Sequence, residues 1–305
     1  MVERSETAEA VLDKKISGKC NEAILISGGA RSGTTIMGKI VHSFQNVEYV
    51  FEPPMLFSLF SLLGYLTESQ WKLLYETYLY EEFLMNALAG RGINLNRSDD
   101  SSIYHAKSES AIERRLAQSL RKVDAERLAE TTVIAYKMPD VVPFLPQLKR
   151  YYPGTRMILM TRKAPEVFNS LLEKGWYRDE VLRQENVIWP NRFLNGMRIP
   201  FWVDSADDEA WCGMDELNRV AYYYLRVNET LSGIPDKIQI RYDDLVSQSE
   251  AAARSLAGQL GLMFGEKTAE VLKTVERKRK ENNCPALSRL KPAIREQAEH
   301  YSRLS

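Results

Sequence analysis

Five short apolar runs punctuate this chain, at about Ala23–Ser27, Glu48–Phe51, Thr132–Lys137, Arg156–Thr161 and Lys237–Arg241. Each has strand length, and the stretches between them mostly repeat at helical spacing. Such alternation predicts a parallel sheet with helices on both faces. A helix is expected from about Thr34 to Phe44. Asp140–Tyr151 reads as another, ended by Pro153-Gly154, and Pro165–Lys174 opens with proline in its first turn. Leu217, Val220, Ala221, Tyr224, Leu225 and Leu231 form one apolar face of a helix over Met214–Leu231. Two more helices are expected over Glu250–Leu262 and Glu266–Lys280. No repeat or low-complexity tract interrupts the pattern.

Two stretches break the alternation, at about residues 55–130 and 175–213. In the first, Thr67–Leu88 is helical and loaded with aromatics, whereas Gly90–Lys107 is polar. The second, Gly175–Gly213, carries Trp176, Trp189, Phe193, Phe201, Trp202 and Trp211. Both adjoin strand ends, where an α/β sheet builds its sites, so they are expected over the active site as walls of an acceptor pocket. The plainer alternative is an aromatic side core over the sheet. The organisation expected is an N-terminal extension, residues 1–20, followed by a single domain over residues 21–305.

Composition narrows the partners. Apolar residues make up 44% and charged residues 27% of 305, an ordinary globular balance, and 41 basic residues equal 41 acidic ones. Nucleic acid is not expected as a partner of so neutral a chain. Cys20, Cys212 and Cys284 lack metal-ligand spacing and suit a reducing compartment. The first twenty residues lack the apolar core of a signal peptide, and Met55–Leu66 is too short to span a bilayer. A cytoplasmic protein with no membrane span is expected.

The chemistry starts at Ile24-Leu25-Ile26-Ser27-Gly28-Gly29-Ala30-Arg31-Ser32-Gly33-Thr34-Thr35. A strand runs into a glycine-rich turn that opens a helix, and the turn's N–H groups with the helix dipole make a seat for a phosphate. The spacing from Gly28 to Gly33 fits the nucleotide loop G-x-x-x-x-G-K-[ST], yet Thr34 stands in the lysine position. A triphosphate enzyme uses that lysine to reach the β- and γ-phosphates, so the nucleotide expected ends differently. A second element is Met160-Thr161-Arg162, followed by a helix bearing Ser170. Arg162 offers a fork of donors and Ser170 a hydroxyl to another phosphate.

Together these elements resemble the sulfotransferase family, which takes its sulfuryl group from 3′-phosphoadenosine 5′-phosphosulfate (PAPS). The family's loop [KR]-S-G-T-T, which binds the 5′-phosphosulfate, is Arg31-Ser32-Gly33-Thr34-Thr35 here. Its arginine at a strand end and serine eight positions on, which bind the 3′-phosphate, match Arg162 and Ser170. Arg241-Tyr242-Asp243-Asp244-Leu245 looks like its R-Y-E-D-L segment. The resemblance implies an α/β fold of P-loop nucleotide-binding type, three layers deep, and PAPS as cofactor, left as 3′,5′-ADP. It gives Gly29, Ala30, Arg31, Ser32, Gly33, Thr34, Thr35, Arg162 and Ser170 as cofactor-binding residues, with no metal needed for transfer.

Some positions depart from the family. Met138 stands where cytosolic members place a histidine base in K-T-H, and Ile36 where an aromatic stacks on adenine. The late R-K-G segment is absent, with Arg289 and Lys291 as substitutes, while Lys278-Arg279-Lys280 reads as a solvated helix face. The base expected instead is Glu52 in Phe51-Glu52-Pro53, an F-E-P segment found in several bacterial and carbohydrate members. A partly desolvated carboxylate there suits proton abstraction. Arg31 and Lys137 would stabilise charge developing on the leaving group, and His105 is a secondary candidate base. His42 is expected to be a packing or surface residue. The reading is therefore a PAPS-dependent sulfotransferase acting on an acceptor hydroxyl, with a small molecule or saccharide as acceptor. A P-loop kinase and a non-catalytic nucleotide-binding module are the alternatives.

Overall fold

The computed structural model describes residues 11–117, 120–184, 189–275 and 284–305. Among them are seven strands: β1 (Ile24–Gly28), β2 (Val47–Phe51), β3 (Val133–Lys137), β4 (Arg156–Thr161), β5 (Asn191–Leu194), β6 (Met197–Pro200) and β7 (Ile238–Arg241). Five form one sheet in the order β2-β3-β1-β4-β7, with every neighbouring pair parallel. These are the five apolar runs of the sequence, each within one residue of its expected ends.

Period-two alternation divides the sheet's side chains between two cores. Leu25, Tyr136, Met157 and Leu159 point into one. Ile24, Ile26, Ala135, Ile158 and Met160 point into the other. Every residue of β1 is buried, as expected of a central strand covered on both faces. The architecture is thus a three-layer α/β fold.

The helix after β1 runs Thr34–Ser43. The expected long helix over Thr67–Leu88 is present as Glu68–Glu76, a π-helical turn over Thr77–Met85, and Asn86–Leu88. The one expected over Asp140–Tyr151 begins later, as a 3₁₀ turn at Val142–Phe144 and a helix at Leu145–Tyr151. Pro143 and Pro146 lack the N–H groups that an earlier start would need. Of Glu266–Lys280, Thr268–Lys273 is helical; its end, with Lys278-Arg279-Lys280, lies outside the described residues. Helices at Lys14–Asn21, Pro54–Ser61 and Pro292–Leu304 were not expected. The first and last carry Cys20 and Ala298, both fully buried.

The second insertion holds the antiparallel hairpin β5–β6, also unexpected. Its two-residue turn is Asn195-Gly196, with φ of +51° and +70°. This asparagine–glycine pair is the strongest short-range hairpin signal in a sequence.

Candidate active site

Parallel strands place their C-terminal ends along one edge, and here each end delivers a candidate side chain to it. β1 ends in the glycine-rich loop, β2 in Glu52, β3 in Lys137, β4 in Arg162 and β7 in Tyr242. Ala30, Arg31, Gly33, Thr34, Thr35, Glu52, Lys137 and Arg162 all line a single cavity of about 790 Å³.

The loop needs its glycines at two points. Gly28 has φ +134°, and a Cβ there would lie 2.3 Å from the Met160 carbonyl oxygen on the adjacent strand. Gly33 has φ +91°, and its Cβ would meet the Tyr242 ring at 2.5 Å. That contact gives the Arg241–Leu245 segment a physical place: Tyr242 packs on the loop. Its ring also lies 4.1 Å from the Arg162 guanidinium. Gly33 is the N-cap of the Thr34–Ser43 helix. The first-turn N–H groups of Thr34 and Thr35 have no partner within the helix, which leaves them for an anion.

Lys137 is almost wholly buried and ion-paired with Glu52. Its Nζ also donates to Thr35 Oγ1 at 3.3 Å. Glu52 keeps 24% of its side chain exposed, enough for an acceptor to reach it. Two of the expected catalytic residues are therefore in direct contact. Arg31 donates through Nε to Ser170 Oγ at 2.9 Å, and its guanidinium lies 6.0 Å from the ring of Trp176. Arg162 donates from Nε to Glu166 Oε2 at 2.6 Å and from Nη1 to the Arg31 carbonyl at 2.9 Å. Its Nη2 lies 2.6 Å from the same Glu166 oxygen but makes no aligned hydrogen bond. That buried donor and the first-turn N–H groups suit the two ends of a doubly phosphorylated nucleotide.

Gly29, Ser32 and Ser170 stand behind the wall rather than on it. Ser32 and Ser170 are buried, and Ser170 is held by Arg31. His105 faces elsewhere, its Nε2 lying 3.1 Å from the Asp99 carbonyl. His42 is buried beside Tyr49, a packing residue as expected. Met138 is a fully buried core residue. Arg289 and Lys291 are exposed and off the cavity.

Sequence reasoning missed Asp140 and Tyr223. Tyr223 Oη accepts from the Ala30 N–H at 2.6 Å and donates to Asp140 Oδ1 at 2.7 Å. Asp140 lines the cavity. Its carboxyl is pushed up to about 6, chiefly by burial and further by the charge of Glu52. The Tyr223 hydrogen bond and Lys137 act the other way. A perturbed carboxyl in a cleft is a functional-site signal that no local motif announces.

The aromatics of the insertions divide between wall and core. Phe57, Trp176, Trp189, Phe201 and Trp202 line the cavity. Trp211 is fully buried, 5.3 Å from Trp202, while Phe193 is exposed. Among the described residues, no group of three or more His, Cys, Asp and Glu could hold a metal ion. No described helix is long and apolar enough to cross a membrane.

No family model and no curated protein matches this chain. Several solved structures are similar to it over most of its length. The sulfotransferase domain from the Synechococcus PCC 7002 olefin synthase is 13% identical, covers 92% of this chain and 93% of its own, and has a TM-score of 0.44. The sulfotransferase domain from the curacin biosynthetic pathway is 14% identical over 82% of this chain and 77% of its own, at TM-score 0.45. The sulfotransferase from Alicyclobacillus acidocaldarius is 14% identical over 92% and 94%, at TM-score 0.41. At such identity, function has to be argued from the residues of the site.

Proposed function

We propose that this chain is a PAPS-dependent sulfotransferase that sulfates an acceptor hydroxyl, with Glu52 as its base. The observation that carries the reading is the meeting of two anion seats and a carboxylate–lysine pair in one cavity. The loop N–H groups and Arg31 would hold the 5′-phosphosulfate, and Arg162 would hold the 3′-phosphate, with Gly29, Ser32 and Ser170 supporting the loop. The donor supplies a sulfuryl group whose bond to the bridging oxygen breaks, its electron pair staying on the phosphate, as a bond to the acceptor oxygen forms.

Glu52 takes the acceptor's proton, and its exposed edge gives the access this needs. Lys137, fixed between Glu52 and Thr35, orients that carboxylate and sets a positive charge beside the loop. Arg31 adds a charge that stabilises the leaving group but cannot donate a proton. The aromatic wall suits a saccharide or another small molecule with an apolar face.

Donor class is tested by thermal shift with 3′,5′-ADP, 5′-AMP and ATP–Mg. Preference for 3′,5′-ADP is expected, with roughly 2.7 kcal/mol of stabilisation at a hundredfold excess over Kd. Preference for ATP–Mg would refute the reading in favour of a kinase. Glu52→Gln should retain 3′,5′-ADP affinity while kcat falls on the order of a hundredfold or more. Near-full turnover by this variant would sink the base assignment.

A further inference from the structure

Arg198 is a cation on the cavity wall that takes no part in the proposed transfer. Arg198 lies on β6, where alternation buries Met197 and Ile199 in the core and turns Arg198 and Pro200 to the cavity. Its position is fixed: its carbonyl accepts from Trp211 Nε1 at 3.4 Å, and its Nη2 donates to the Val181 carbonyl at 3.2 Å.

Four arginines of the same region hold carboxylates. Arg178 pairs with Glu216, Arg192 with Asp208, Arg219 with Asp179 and Arg226 with Asp204. Of the other cavity cations, Lys39 pairs with Asp100, Lys137 with Glu52 and Arg162 with Glu166, while Arg31 donates to Ser170 and belongs to the proposed donor seat. Arg198 pairs with no carboxylate among the described residues. Burial pulls it below the usual arginine range.

A part-buried guanidinium on the cavity wall with no carboxylate partner is available to a ligand that supplies one. Its planar fork matches a carboxylate, which it can bind through two parallel hydrogen bonds. We infer that Arg198 is an acceptor-recognition residue, and that the acceptor is a hydroxylated molecule with an apolar or aromatic body and a carboxylate remote from the hydroxyl. The body lies along Phe57, Trp189, Phe201 and Trp202, the carboxylate meets Arg198, and the hydroxyl meets Glu52. The inference names the acceptor class for the sulfuryl transfer proposed above and rests on that reading.

The test uses two matched pairs: para-hydroxyphenylacetate against its amide, and omega-hydroxydodecanoate against its methyl ester. Equilibrium binding is read from tryptophan fluorescence without donor, and kcat/KM is read with PAPS. The acid of at least one pair should bind better than its neutral partner by roughly ten- to a hundredfold. In Arg198→Gln that ratio should fall close to one, and in Arg198→Lys it should be partly kept, with unchanged melting temperatures showing both variants folded. Equal affinities for acid and neutral partner in both pairs would overturn the inference. So would an acid preference that survives Arg198→Gln. A protein that prefers acids through Arg198 yet fails to bind 3′,5′-ADP would keep the anion seat and lose the sulfotransferase reading.

Discussion

Asp140 makes a stability prediction whose size follows from its environment. Its carboxyl rises from an ordinary 3.8 to about 6 in the fold, because burial disfavours the charged form. Below about pH 4 both folded and unfolded chains carry the proton, and the group has no effect. Between about pH 4 and 6 the unfolded chain ionises while the fold keeps its proton, so stability falls as pH rises. Above about pH 6 the penalty is complete. Two units correspond to about 3 kcal/mol. Asp140→Asn cannot titrate, yet its amide oxygen still accepts from Tyr223. Subtracting the variant's stability from the wild type's at each pH cancels groups that titrate alike in both. The difference should therefore move by about 3 kcal/mol against the wild type from pH 4 to pH 7. For 305 residues, that is a shift of about 5 °C in the difference between melting temperatures. The assay is thermal or urea unfolding of both proteins in matched buffers. A difference that stays flat across this range would show that Asp140 ionises normally and is solvated, contrary to the structure.

Other perturbations test the two anion seats and the frame behind the wall. Arg162→Ala should abolish the preference for 3′,5′-ADP over 5′-AMP in calorimetry. It should also destabilise the fold by about 3 kcal/mol, because Glu166 is left buried and unpaired; adding Glu166→Gln should restore stability but not the preference. Arg31→Gly should match or exceed wild-type stability in urea, since φ at this position is +68°, while turnover is lost. Arg219 is fully buried and donates to the carbonyls of Tyr177, Trp211 and Cys212. Arg219→Leu orphans these acceptors and should cost more than about 3 kcal/mol in urea unfolding.

The five sheet strands were legible because each is a short apolar run bounded by polar residues, and a central parallel strand needs nothing more. The phosphate loop was legible from its glycine spacing. Glu52 and Lys137 were legible one at a time, as residues at strand ends. Their contact was not, because it depends on β2 and β3 being neighbours, and strand order leaves no mark in a local pattern. Asp140 was hidden for the same reason. Asp140 follows β3 in a turn and its partner Tyr223 lies on a helix eighty-three positions away, so only the folded chain brings the pair together. The β5–β6 hairpin is a different case. Asn195-Gly196 between two short runs is a readable turn, but its flanking strands are only four residues long and carry no sustained alternation of their own.

The backbone itself points to the same edge of the sheet. Arg31 and Glu52 adopt positive φ, +68° and +43°, where a non-glycine residue is strained by about 1–3 kcal/mol. Gly28 and Gly33 take such angles in the same loop at little steric cost, so glycine is at hand as a solution. An arginine and a glutamate stand there instead. Both line the cavity, one beside the candidate leaving group's seat and the other against Lys137. The fold tolerates that strain because β1 and β2 are fixed on either side of β3 by parallel pairing, β1 over Ile24–Ile26 and β2 over Val47–Phe51. Strain at two positions bearing charged side chains, in the segments that follow β1 and β2, is what a site that needs those charges in place would retain. A purely structural loop would have relaxed it with glycine.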